Sequence, residues 1–174
     1  DGQAGPALED LAADNFVFSP DGRRHACTGY QGEHETVIVD GRSIGRFERV
    51  LEQSLVFSPD GRRLAFKAFR NGKWHGVVDG HVGDTSDGVA SSPPHFSADG
   101  ARWGHAALHG QKWVALVDGR VVGTYDELLP DGQPHGDFTG LPRGTRLRWS
   151  SDRAFDLIVM RDQEFLRLTG RFGD

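Results

Sequence analysis

By type and position, His95, Arg148 and Asp156 are the residues of this chain best suited to chemistry. Near-copies of one unit recur at a step of 39 residues, as Phe18, Phe57 and Phe96 show. One repeated position reads Val17, Val56, His95 and Arg148; another reads Ala26, Ala65, Gly104 and Asp156. Polar residues enter these apolar or small positions only in the last two copies. A histidine can move a proton near neutral pH, an arginine can hold an anion, and a carboxylate can balance either. The set therefore reads as an anion-binding or acid/base pocket of a hydrolase, lyase or isomerase. The alternative is a structural ion pair whose members offset the cost of burying each other.

Other chemistries find less support. The eight histidines include no His-x-x-x-His pair and no cysteine partner, so no metal or cofactor is expected. His75, His81 and His105 occupy different repeat positions. There is no nucleophile elbow, no phosphate-binding glycine loop and no dinucleotide fingerprint. Ser19, Ser58, Ser97 and Ser150 recur beside a turn, where a hydroxyl caps backbone rather than attacking substrate. Trp74 and Trp113 share a strand position with Glu35 and Glu164 and read as packing aromatics.

The elements that must position these residues follow from the repeat. Phe-Ser-Pro-Asp-Gly at Phe18 and Phe57 returns as Phe-Ser-Ala-Asp-Gly at Phe96, and Asp1-Gly2, Asp40-Gly41, Asp79-Gly80 and Asp118-Gly119 keep the same step. Two markers in one register define an array of small units. Each unit begins with a short apolar strand (Phe16 to Ser19, Leu55 to Ser58, His95 to Ser97) closed by a tight turn. A second strand follows over His25 to Tyr30, Leu64 to Phe69 or Trp103 to Leu108. After a glycine tip comes a third strand, Thr36 to Val39, Trp74 to Val78 or Trp113 to Val117, which ends in the Asp-Gly hairpin signal. A less apolar fourth strand returns through Arg42 to Phe47, His81 to Thr85 or Arg120 to Tyr125. Helical turns are conceivable only at Ala7 to Ala13 and Phe47 to Gln53.

A degenerate fourth copy starts at Arg148-Trp149-Ser150, with Thr169-Gly170 where the others have Asp-Gly. The longer step from Ser97 to Ser150 places an inserted loop at Leu129 to Thr145, rich in glycine and proline. Four short antiparallel strands per unit make a propeller blade. The expected fold is all-β: one β-propeller domain over residues 1–174, with four-stranded blades at 14–52, 53–91, 92–128 and 145–174. Residues 1–13 serve as the closing strand. The blades form either a closed four-bladed ring or half of a larger ring, completed by a second chain in a homodimer or by a longer parent chain.

Phe57 to Phe66, Phe-Ser-Pro-Asp-Gly-Arg-Arg-Leu-Ala-Phe, resembles the WD-like repeat of TolB-type propellers, which also builds the propellers of prolyl-oligopeptidase-like proteins. The likeness covers nearly the whole chain, although the Trp-Asp pair of true WD repeats is absent. It implies the propeller fold. It also implies a range of roles, from periplasmic scaffold to substrate-gating domain, and so a bacterial periplasmic or extracellular setting. Fold likeness alone assigns no chemistry.

Composition trims the options. The net charge of −5 argues against a general nucleic-acid binder, and no apolar run is long enough for membrane insertion. Cys27 is the sole cysteine, so no disulfide forms within the chain and the compartment stays open. In a propeller one end carries the two turns of each blade, nearly identical here, and the other carries the tips and the connections between blades. That second end varies. It holds His34, Arg70, Asn71, His109 and Gln111 at the tips, with Glu9, Asp10, Glu48, Glu52, Asp87, Ser91 and Ser92 in connections and His135 and Asp137 in the insertion. Variable loops on a repeated scaffold are the usual place for recognition. The leading expectation is a non-enzymatic propeller that binds a protein, peptide or glycan through this face. The channel enzyme is the alternative, and a structural assembly subunit with open strand edges is a third.

Overall fold

The computed structural model describes residues 10–125, 127–128, 148–151, 154–161 and 164–171, and every regular element among them is a β-strand. The strands form four antiparallel sheets. The first contains β1 (Asp10–Phe18), β2 (His25–Gln31), β3 (His34–Val39) and β4 (Arg42–Phe47), paired in that order. The second contains β5 (Arg49–Val50), β6 (Val56–Phe57), β7 (Leu64–Arg70), β8 (Lys73–Val78) and β9 (His81–Ser86). The third repeats it with β10 (Gly88–Val89), β11 (His95–Phe96), β12 (Trp103–His109), β13 (Lys112–Val117) and β14 (Arg120–Tyr125). The last has β15 (Glu127–Leu128), β16 (Arg148–Ser151), β17 (Ala154–Arg161) and β18 (Glu164–Arg171). Neighbouring sheets touch in series: β4 meets β7, β9 meets β12, and β11 and β14 meet β16 and β17.

The hairpin signals act as their chemistry requires. Asp40, Asp79 and Asp118 take φ of 50°, 52° and 50°, each followed by a glycine in the same left-handed region. Two such residues in succession make the turn whose twist suits a two-residue hairpin. In β8 and β13 the last four residues are buried, although successive side chains point to opposite faces. Both faces of these strands are covered because each inner sheet packs between two others.

One expectation is corrected, and two details are added to the reading. No helical turn forms at Phe47 to Gln53: Phe47 ends β4, while Arg49 and Val50 pair with Phe69 and Ala68 of β7. Residues 10–13 of the other proposed turn lie in β1. Backbone pairing to a central strand outweighs a local helical preference in segments this short. The short first strands read from the sequence form in the later sheets, at Val56–Phe57 and His95–Phe96, and a further piece precedes each, so that the innermost strand is in two parts. The parts, β5 with β6 and β10 with β11, bond in each sheet to one partner. Last, Thr169-Gly170 does not turn: β18 runs through it, with Phe155 opposite Gly170 and Ala154 opposite Arg171.

The core sits in the seams between sheets. Phe47, Phe57, Phe66, Leu64, Val37 and Val77 belong to one buried cluster joining the first two sheets, and the rings of Phe47 and Phe66 meet edge-to-face at 5.5 Å. A polar device recurs at the first two seams. Arg24 Nε bonds Asp40 of its own sheet at 2.8 Å, while its Nη1 donates to the carbonyls of Arg62 (2.7 Å) and Gly61 (3.2 Å) in the next. Its guanidinium lies 5.4 Å from the Phe57 ring centroid. Arg63 does the same one sheet on, with Asp79 at 3.1 Å, the Ala101 and Gly100 carbonyls at 2.8 and 3.3 Å, and Phe96 at 5.5 Å. Charge-assisted bonds and cation–π contact act together in this clamp.

The Ser-Pro-Asp-Gly turns nest on one another beneath these arginines. Ser19 Oγ donates to Asp21 at 2.6 Å and accepts from the Arg24 amide at 2.9 Å, a pattern repeated at Ser58 and Ser97. A Cβ on Gly61 would stand 3.2 Å from Ser19 Cβ of the preceding turn, and one on Gly100 would stand 3.2 Å from Asp60 Oδ1. The marker that defines the repeat is thus also the surface by which one sheet seats on the next.

Replacing Arg63 by Ala is expected to lower the unfolding free energy by about 2 kcal/mol, since it removes charge-assisted bonds and the ring contact together. Arg63→Lys should recover little of the loss, because an ammonium cannot span the carboxylate and two carbonyls. Arg62→Ala, at an 86% exposed side chain, should change stability by no more than about 0.5 kcal/mol. Urea unfolding of the three variants checks this.

Candidate functional site

The variable end of the sheets is stiffened by side-chain bonds to its tip backbone. Asn71, with φ 53°, donates its amide to Glu48 at 2.6 Å. One repeat later the Gly110 amide donates to Asp87 at 2.7 Å, and Lys73 donates to the other Asp87 oxygen at 2.5 Å. The Lys73 ammonium and the Gly110 amide hold the Asp87 carboxyl below its ordinary range. Glu35 anchors the split inner strand, its Oε2 accepting from the Val50 amide at 2.9 Å, while partial burial raises its pKa. Glu48 and Asp87, expected to vary with the binding face, are in fact repeat-spaced caps of the tips.

Upon this frame sit the side chains nominated for recognition. Arg70, Asn71 and Gln111 are exposed. Half-buried His34 stands 3.4 Å from Arg46, which also donates to the Gln31 carbonyl at 3.1 Å. His109 Nε2 lies 3.2 Å from Ser86 Oγ. These residues share one end of three consecutive sheets. His135 and Asp137 lie outside the described residues, as does the Leu129 to Thr145 loop.

For the channel set, the backbone gives the placement. Arg148 and Asp156 are directly opposite each other in the β16–β17 ladder. His95 pairs with Gly104 in the third sheet, and its strand β11 packs beside β16. The three residues therefore lie on neighbouring strands, His95 on β11, Arg148 on β16 and Asp156 on β17, which is flanked on both sides within its sheet. His95 is half-buried.

Two buried residues with chemical potential did not emerge from comparing the repeats. Lys67 is fully buried, and its Nζ crosses the seam to donate to the carbonyls of Ala90 (2.7 Å) and Ser92 (2.5 Å). It interrupts an apolar run, Leu64-Ala-Phe-Lys-Ala-Phe, which was the available signal. His105, 5% exposed, stacks on Trp103 at 5.3 Å and fills the space over Gly76, where a Cβ would meet its Nε2 at 2.5 Å. Burial, and next the Lys67 charge, lower its pKa to about 3. A ring that stays neutral at physiological pH inside a seam is a packing group, not an acid. His75 is likewise used internally, 3.0 Å from the Gly83 carbonyl and 3.3 Å from that of Arg70. Among the described residues no group of three His, Cys, Asp or Glu side chains is placed to hold a metal ion.

No family model matches the sequence, and no curated protein is recognisably similar to it. Several solved structures are similar in fold. TolB from Acinetobacter baumannii is 14% identical with a TM-score of 0.47, over 90% of this chain and 40% of that one. A eukaryotic initiation factor is 11% identical with a TM-score of 0.47, over 95% and 41%. The β-propeller domain of Cps50 (Swd1) from Myceliophteria thermophila is 10% identical with a TM-score of 0.45, over 94% and 52%. The chain thus spans about half or less of each of these structures.

The His105 shift has a definite pH consequence. Its folded pKa lies below the ordinary histidine value, so the unfolded chain binds the extra proton first as pH falls. Stability present above about pH 6.5 should be lost down to about pH 3, at up to about 1.4 kcal/mol per pH unit. His105→Leu should flatten that part of the urea-unfolding profile between about pH 6.5 and 4, before the turn aspartates protonate. An unchanged slope in the variant would contradict the assignment.

Proposed function

We propose that this chain is a non-enzymatic propeller scaffold that takes a protein, peptide or glycan on the end bearing the sheet tips. One observation carries the proposal. The turn end spends its serines, aspartates and arginines on bonds repeated from seam to seam, whereas the tip end offers non-repeating polar side chains on a pinned backbone. Preorganised tips reduce the ordering cost of binding. His34, Arg70, Asn71 and His109 are the contact residues, extended by His135 and Asp137 of the insertion. Basic Arg46, Arg70, Lys73 and Lys112 alternate there with acidic Glu33, Glu48 and Asp87. That balance fits directional hydrogen bonding to a peptide or sugar better than a polyanion. In this reading the sheets are blades about an axis, and the half-ring is favoured over a closed ring of four because Phe16 and Phe18 leave the outer face of the first sheet exposed among the described residues.

A second reading is favoured by the ladder that sets Arg148 opposite Asp156 beside the strand of His95. There Arg148 would hold an anionic substrate, His95 would move the proton, and Asp156 would balance the charge.

Peptide and glycan arrays probed with the wild-type protein and with a His34→Ala/Arg70→Ala/His109→Ala variant test the choice. The expected result is one ligand class bound by the wild type, at least tenfold weaker for the variant (~1.4 kcal/mol), with unchanged melting temperature. Undiminished binding by the triple variant would overturn the proposal. So would ligand turnover that His95→Ala abolishes.

A further inference from the structure

The seam device has two halves, and the first sheet carries one of them unused. At the seams between the first and second and between the second and third sheets, the following sheet supplies a phenylalanine ring and two turn carbonyls, and the preceding sheet supplies an arginine held by an aspartate. Phe57 is 7% exposed beneath Arg24. Phe18 occupies the same repeat position in the first sheet and is 63% exposed, with Phe16 of the same strand at 48%. Phe16 and Phe18 contact edge-to-face at 5.1 Å, and Phe16 stacks on His25 at 6.1 Å, forming one preset apolar face. Gly22 corresponds to Gly61 and Gly100. A Cβ there would meet nothing within 4 Å, whereas at the other two it would meet the preceding turn. The receiving half is therefore complete in every part, and none of the described residues stands on it.

Among its described residues, the chain's own fourth sheet does not carry the matching half. The register places Ala154 where the other sheets have Arg24, Arg63 and Arg102, and Gly170 where they have Asp40, Asp79 and Asp118. Its third strand continues past that point without the hairpin that presents the aspartate. A second copy of this chain offering its fourth sheet would fail for the same reason.

We infer that the outer face of the first sheet is a docking surface for a further blade of the same repeat type, one presenting an arginine–aspartate pair on a Ser-x-Asp-Gly turn. The arginine covers the Phe18 ring and bonds the carbonyls of Gly22 and Arg23, as Arg24 bonds those of Gly61 and Arg62. The preceding turn seats against Gly22. The partner is thus selected by a guanidinium, and an apolar helix or a lipid surface would leave the two turn carbonyls without their donor. This surface is separate from the tip end and stands whether or not that end binds a ligand.

The test adds the missing half. A copy of residues 49–87, which carries Arg63 and Asp79, is joined directly ahead of residue 10 of the chain, replacing residues 1–9. The expected result is a melting temperature higher by about 4 °C or more, together with slowed amide exchange at Gly22. Arg63→Ala within the added copy alone should lose most of the gain, and Phe18→Ala in the original chain should lose it too. An added copy that is rapidly proteolysed, or that raises stability equally with and without its arginine, would overturn the inference. Sedimentation of the wild-type chain supplies the other arm: a micromolar dimer dissolved by Phe18→Glu would show that a second copy occupies the face and would also overturn it.

Discussion

A guanidinium fixed by a carboxylate on its own sheet and spent on the backbone of the next is the constraint from which this architecture follows. Each sheet is too small to bury two faces by itself, so its stability comes from its neighbours. The hydrophobic seams supply most of the attraction but little direction. Arg24 and Arg63 supply the direction: the two turn carbonyls and the ring fix both the spacing and the rotation of one sheet on the last. The glycine of each turn lets the backbones approach closely enough for that reach.

This division explains why the two ends of the sheets differ. Side chains at the turn end are committed to holding the stack together, and changing one there changes a seam. At the tip end the backbone is secured by Glu48 and Asp87 from the connecting segments, leaving the tip side chains themselves free to vary. The seam between the second and third sheets adds polar groups of its own, Lys67 and His105, the latter in a space opened by Gly76. Their burial is compatible with structure because Lys67 is bonded to carbonyls and His105 remains neutral.

Much of the fold was legible because the repeat writes its turns in glycine, proline and aspartate, whose conformational demands are local. The second, third and fourth strands begin and end within about two residues of where those turns place them. What was not legible depended on tertiary pairing. Arg49 and Val50 look like part of a helical turn until β7 offers them a ladder. Arg23 and Arg24 are adjacent and identical in type, yet only the second is clamped. The signal existed, since the third copy keeps Arg102 while Ala101 replaces the neighbour, but it became meaningful only once the seam was seen. In the candidate site, strand register brought Arg148 opposite Asp156 as the repeat alignment implied. Lys67 was missed because a long cationic side chain in an apolar strand finds its partners in another sheet.

The most direct test of the seam as organising constraint is a double-mutant cycle between Arg24 and Phe57, read by urea unfolding of Arg24→Ala, Phe57→Leu and the pair. A clamp that couples the two sheets predicts a coupling free energy of about 1 kcal/mol or more, with the double variant less destabilised than the sum of the single ones. Additivity to within about 0.3 kcal/mol would mean that the guanidinium and the ring act independently, and would contradict the account.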